Sequence, residues 1–88
     1  MASILIEGLE DVWVAGKSYL ASGDTDCRLS NPSGAFLFFD IVSGGGTPAG
    51  LVRQSQILGP KQFDKFQLLD GERISFGGKD ALAVLLTG

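Results

Sequence analysis

The sequence predicts a small all-β domain, a β-sandwich or barrel of about eight antiparallel strands. Three observations carry this. Thirteen glycines in 88 residues cut the chain into short apolar runs. Apolar residues alternate as strands require, and no stretch keeps a helical i, i+3, i+4 spacing. Turn residues recur at roughly 8–12-residue intervals, the spacing of sandwiches and barrels.

The candidate strands are residues 3–7, 11–15, 18–21, 26–30, 35–42, 51–58, 63–69, 73–76 and 81–87. Gly8-Leu9-Glu10 separates the first two, Gly16-Lys17 follows the second, and Ser22-Gly23-Asp24 follows the third. Asn31-Pro32-Ser33-Gly34 is a turn in which proline presets φ and glycine accepts a positive φ at the end. Leu37, Phe39 and Ile41 share one face of the following strand, and Phe36, Phe38 and Val42 share the other. Two apolar faces imply cover on both sides. Ser43-Gly44-Gly45-Gly46-Thr47-Pro48-Ala49-Gly50 is expected to be a mobile tip or a segment that orders on contact, because four glycines are costly to fix. Gly59-Pro60 ends the strand at 51–58, since proline cannot donate to a ladder.

In the last third, Asp70-Gly71 and Gly77-Gly78 are expected at tight hairpin turns between three strands. The predicted core is Trp13, Leu29, Leu37, Phe39, Ile41, Phe66, Leu68, Ile74, Phe76, Leu82, Val84 and Leu86. The chain is one domain, residues 1–88, with residues 1–20 read as an N-terminal docking arm or as edge strands. Because the last strand runs to Gly88, an arm is expected at the other end.

Composition narrows the function classes. Apolar residues make up 44% of the chain and charged residues 19%, too apolar for disorder and poor in groups to solvate a surface. Part of the apolar content is therefore expected to lie against another chain, and a homo-oligomer is expected. The net charge is −3, and Lys17, Arg28, Arg53, Lys61, Lys65, Arg73 and Lys79 are scattered, so no nucleic-acid partner is expected. No apolar run reaches the ~20 residues of a membrane helix, and no signal peptide or membrane partner is expected. Cys27 stands alone, which suits a reducing compartment or an assembly independent of disulfides.

Histidine is absent, which removes the commonest general base and a common metal ligand. No catalytic residue, cofactor or metal site is assigned. Asp24-Thr25-Asp26 places two acids on one side of an extended segment, yet Cys27-Arg28-Leu29 follow where a calcium loop needs oxygen ligands and a glycine. Gly44-Gly45-Gly46 lacks the Gly-Lys-Ser/Thr of a phosphate loop. Proline in Asn31-Pro32-Ser33 excludes glycosylation. The candidate interface residues are Ile4, Ile6, Trp13, Tyr19, Phe36 and Phe38: apolar residues near the N-terminus, the lone tryptophan and tyrosine, and the second face of the aromatic strand.

From Cys27 to Gly88 the chain resembles small virion proteins of tailed bacteriophages. The resemblance runs through Arg28-Leu29-Ser30-Asn31, the apolar strand at 36–42, the glycine-rich loop at 43–50, Leu69-Asp70-Gly71-Glu72 with Ile74-Ser75-Phe76, and the closing strand from Ala81. It implies a β-sandwich, jelly-roll-like, that decorates or cements a capsid, or serves a head–tail or tail structure. The implied partners are capsid or other virion subunits, the implied location is the virion assembled in the host cytoplasm, and no enzymatic activity is implied. A small ligand-binding module for carbohydrate, centred on Trp13 or Tyr19, is the alternative. A carboxylate-pair hydrolase is the third reading, and the missing histidine counts against it.

Overall fold

The structure, a computed structural model, describes residues 2–88; Met1, the first residue of the expected arm, lies outside the described residues. The strands are β1 (Ala2–Ile6), β2 (Ser18–Leu20), β3 (Thr25–Ser30), β4 (Leu37–Val42), β5 (Gln56–Leu58), β6 (Phe63–Leu68), β7 (Arg73–Gly77) and β8 (Ala83–Thr87). They form two four-stranded sheets, β1-β8-β3-β6 and β2-β7-β4-β5, packed face to face. Every pairing is antiparallel. Successive strands change sheets at every step except β4 to β5, and the resulting order is that of a jelly roll.

Alternation within each strand builds the core. Leu29 and Cys27 of β3, Leu37 and Phe39 of β4, Leu68 of β6, Ile74 and Phe76 of β7, and Ala83 and Leu85 of β8 all point between the sheets. Phe39 and Phe66 stack across that gap, with ring centroids 6.1 Å apart and planes 10° from parallel. Leu9, in the connection from β1 to β2, closes one side.

The β3–β4 turn ties the two sheets. Asn31 is 1% exposed, and its side chain makes five hydrogen bonds. Nδ2 donates to the carbonyls of Ala35 (2.7 Å), Leu58 (3.0 Å) and Gly59 (3.1 Å). An amide has only two hydrogens, so the adjacent Leu58 and Gly59 carbonyls share one of them. Oδ1 accepts from the Ser33 N–H at 3.1 Å and the Ser33 hydroxyl at 2.6 Å. The Asn31 backbone is used as well, donating to Gln62 O and accepting from Lys61 N–H. One residue thus joins the end of β3, the approach to β4 and the link from β5 to β6.

Several expectations are corrected. Residues 11–15 are not a strand; they belong to a long connection that crosses from one sheet to the other. Residues 51–58 are split, with a single 3₁₀ turn at Val52–Gln54 followed by β5. The split lets the buried Val52 pack against Gly77, where an added Cβ would stand 2.7 Å from a Val52 methyl. Gly77 is therefore a strand residue held to glycine by a close neighbour. The turn lies beyond it, from Gly78 (φ +116) to Ala81, whose N–H donates to Gly78 O, with Asp80 at φ +66. Asp70-Gly71 does form a tight turn, with Gly71 at φ +81. Neither turn makes a hairpin, because β6, β7 and β8 lie alternately in the two sheets.

The face of β8 is also reversed. Ala81, Ala83 and Leu85 are buried, whereas Leu82, Val84 and Leu86 are half-buried. The register explains this, since Leu85 lies opposite Ile4 on one side and Leu29 on the other, both inward. Trp13, placed in the core from sequence, is half-buried in the β1–β2 connection. The glycine-rich loop at 43–50 is not a free tip. It is pinned by Arg73 Nε to Gly45 O at 2.7 Å and by Trp13 Nε1 to Gly50 O at 2.8 Å.

Two substitutions test this account by urea denaturation. Phe39→Ala removes the ring that stacks on Phe66 and costs about 3–5 kcal/mol. Asn31→Ala strands its buried carbonyl and amide partners and costs about 3 kcal/mol or more, despite the small change in volume.

Candidate functional site

The outer face of the β2-β7-β4-β5 sheet carries two concave surfaces. Cross-strand register places Phe38 beside Ile57 on β5 and Gly77 on β7, all turned away from the core. Phe36, just before β4, joins them. Phe36 is 59% exposed and Ile57 58% exposed, with Phe38 half-buried between them. Together with Ala35 and Gly78 they line a cleft of about 570 Å³.

Charge rims this apolar floor. Asp11 comes from the β1–β2 connection, Arg53 from the 3₁₀ turn and Lys79 from the β7–β8 turn. Asp11 binds the other two, as Oδ1 accepts the Lys79 N–H at 3.2 Å and Oδ2 pairs with Arg53 Nη2 at 3.1 Å. The Gly78 N–H donates to Glu10 O at 2.8 Å and holds the same corner. Glycine is required at Gly78, because a Cβ there would stand 2.5 Å from Phe36 O.

The Lys79 N–H, then the Arg53 guanidinium, hold the Asp11 carboxyl below its ordinary value of 3.8. Cys27 shifts the other way. Burial is the largest cause and pushes the thiol up, while its Sγ–H donates to Thr25 O at 3.6 Å, so thiolate chemistry is disfavoured there.

The second concave surface has Ser18, Ser75 and Arg73 as its floor. Residues 13–16 form one wall and residues 45–47 the other. It holds about 360 Å³. The outer face of the opposite sheet carries a smaller concave surface of about 290 Å³, lined by Asp26, Arg28, Lys65 and Leu86. Leu5 and Phe63 are exposed on it, and the Arg28 guanidinium lies 4.1 Å over the Phe63 ring.

The six residues singled out from sequence fall in different places. Phe36 and Phe38 meet at the apolar cleft. Trp13 lies at the second cleft. Ile6 is 7% exposed and belongs to the core, and Ile4 and Tyr19 pack against that core from the edge strands β1 and β2, so these three do not form a free surface. Ile57, Arg53, Lys79 and Arg73 were not anticipated, since strand pairing and loop crossings bring them in from far along the chain. Asp24 and Asp26 do not converge: Asp24 Oδ1 accepts the Asp70 N–H at 3.0 Å, and Asp26 Oδ1 lies 3.5 Å from Gln67 Nε2. Among the described residues, no three His, Cys, Asp or Glu side chains are grouped to hold a metal ion.

The Asp11 tether has a definite pH dependence. A carboxyl with a depressed folded-state pKa contributes above its unfolded value, near 3.8, and that contribution is lost as pH falls through the lower folded value. Titration by NMR is expected to show the Lys79 amide shifting below pH ~4, in step with the Asp11 carboxyl. Asp11→Asn removes that shift.

No protein-family model, curated protein or solved structure matches this chain.

Proposed function

We propose that this chain is a non-enzymatic virion structural protein of a tailed bacteriophage, one that decorates or cements a capsid shell by burying its surface against shell subunits. The observation that carries the reading is the apolar cleft of Phe36, Phe38 and Ile57. Two large side chains more than half exposed on a domain this small are well placed to leave water on contact, and aromatic anchors ringed by charge are the usual anatomy of a protein–protein contact. The salt bridge of Asp11 to Arg53 and its bond from the Lys79 N–H link the rim before any partner arrives, which lowers the ordering cost of docking. The sequence resemblance to small phage virion proteins supports the choice of partner.

The test is co-sedimentation with assembled shells of the phage that encodes the chain. The wild-type protein is expected to pellet with the shells. The double variant Phe36→Asp, Ile57→Asp is expected to bind at least about tenfold more weakly with an unchanged melting temperature, because both side chains lie outside the core. Wild-type protein that stays in the supernatant, or a variant that binds equally well, overturns the reading.

A further inference from the structure

The second cleft contains a cation with no ion-pair partner among the described residues. Arg73 is half-buried on the outer face of β7. Its Nε donates to Gly45 O at 2.7 Å and its Nη1 to Ser18 Oγ at 2.7 Å. These bonds use two of the five guanidinium N–H groups and leave both on Nη2 unspent among the described residues. The one ion pair among those residues is Arg53–Asp11, elsewhere on the surface. Asp40 is the nearest acid on the same sheet face by register, opposite Ser75, and its Oδ1 accepts the Ile41 N–H. Arg73 is therefore held in place by two bonds, partly removed from water and without an ion-pair partner among the described residues, a state that an incoming anion relieves.

The surroundings say which anion. A fixed guanidinium fork matches a planar carboxylate, with two parallel N–H···O bonds. The indole of Trp13 lines the same cleft and is oriented by its 2.8 Å bond to Gly50 O. An indole face is an apolar platform suited to the C–H face of a pyranose ring. Ser75 on the floor and Thr47 on the wall supply hydroxyls, and no side-chain hydrogen bond occupies either one among the described residues. A volume of about 360 Å³ is at the small end for ligand pockets and suits one sugar unit. We propose that this cleft binds a carboxylate-bearing monosaccharide, a uronic acid, with Arg73 on the carboxylate, Trp13 against the ring, and Ser75 and Thr47 on ring hydroxyls. The site lies apart from the Phe36 surface and does not depend on the role proposed for that surface.

Trp13 is the only tryptophan, so fluorescence excited beyond the absorption band of Tyr19 reports on this cleft alone. The probes are glucuronate, glucose and acetate. Glucuronate is expected to give a saturable change at millimolar concentration, with glucose and acetate each at least about tenfold weaker. Arg73→Lys retains charge but loses the fork, and is expected to weaken glucuronate binding at least about tenfold with unchanged circular dichroism. If that variant unfolds because the Gly45 and Ser18 bonds are lost, Ser75→Ala decides, with an expected loss of about threefold. No saturable response to glucuronate overturns the proposal. So does equal binding of glucose, equal binding of acetate, or undiminished affinity in the folded variant.

Discussion

A jelly roll must turn the corner between its sheets again and again, and at each corner the backbone leaves carbonyls and amides that no strand partner reaches. At the β3–β4 corner those groups are buried. Asn31 meets them from within, reaching the approach to β4, the end of β5 and the Ser33 turn with one side chain. A buried polar group is favourable only when every bond is made, and here every buried side-chain nitrogen and oxygen among the described residues has a partner. The opposite end of the sandwich uses the same device with exposed groups. The Asp70 carboxylate accepts the Gly23 N–H, and Asp24 accepts the Asp70 N–H, so two crossovers clasp each other. The open face of the second sheet, and therefore both clefts, rests on a sandwich closed at these two ends.

The loops complete the second sheet. Val52 seats against Gly77, Trp13 bonds across to Gly50, and Arg73 holds Gly45. These crossings act as a partial third layer over a sheet whose far face would otherwise be wet. They leave two gaps, one floored by phenylalanine and isoleucine and the other by serine and arginine. The two gaps have different chemistry because the same β4 and β7 face changes composition along its length, from Phe38 and Gly77 at one end to Val42 and Arg73 at the other.

Much of this was legible in the chain. Strand number and the Asp70-Gly71 turn follow from local chemistry, and local chemistry survives folding; the turn after Asn31 is where it was expected, but Gly34 does not take the positive φ expected of it. The side of β8 that faces inward was not legible. Leu82, Val84 and Leu86 alternate as convincingly as Ala81, Ala83 and Leu85, and only pairing with Ile4 and Leu29 selects the second set. Gly77 read as turn punctuation because a sequence does not display Val52 pressing on it. Of the candidate site, the aromatic pair Phe36 and Phe38 was visible as the spare face of a strand. Ile57 and Arg73 were not, because their significance comes from neighbours fifteen or more residues away. Of the other interface candidates, Ile6 lies in the core and Ile4 and Tyr19 pack against it half-buried, because an apolar residue on an edge strand carries no mark of which way it faces.

The strand order also constrains how the chain can fold. Pairings β4–β5, β3–β6, β2–β7 and β1–β8 are nested, each enclosing the one before it. Only the innermost joins neighbours in sequence, so only it can form by a short closure. Each outer pair closes a longer loop, unless the pair inside has already shortened the path. The cheapest route runs outward like a zip from the glycine-rich segment, and β1 is the last strand to arrive. Until it does, the edge of β8 stays bare, which makes the last step of folding the one most open to capture by another molecule's strand.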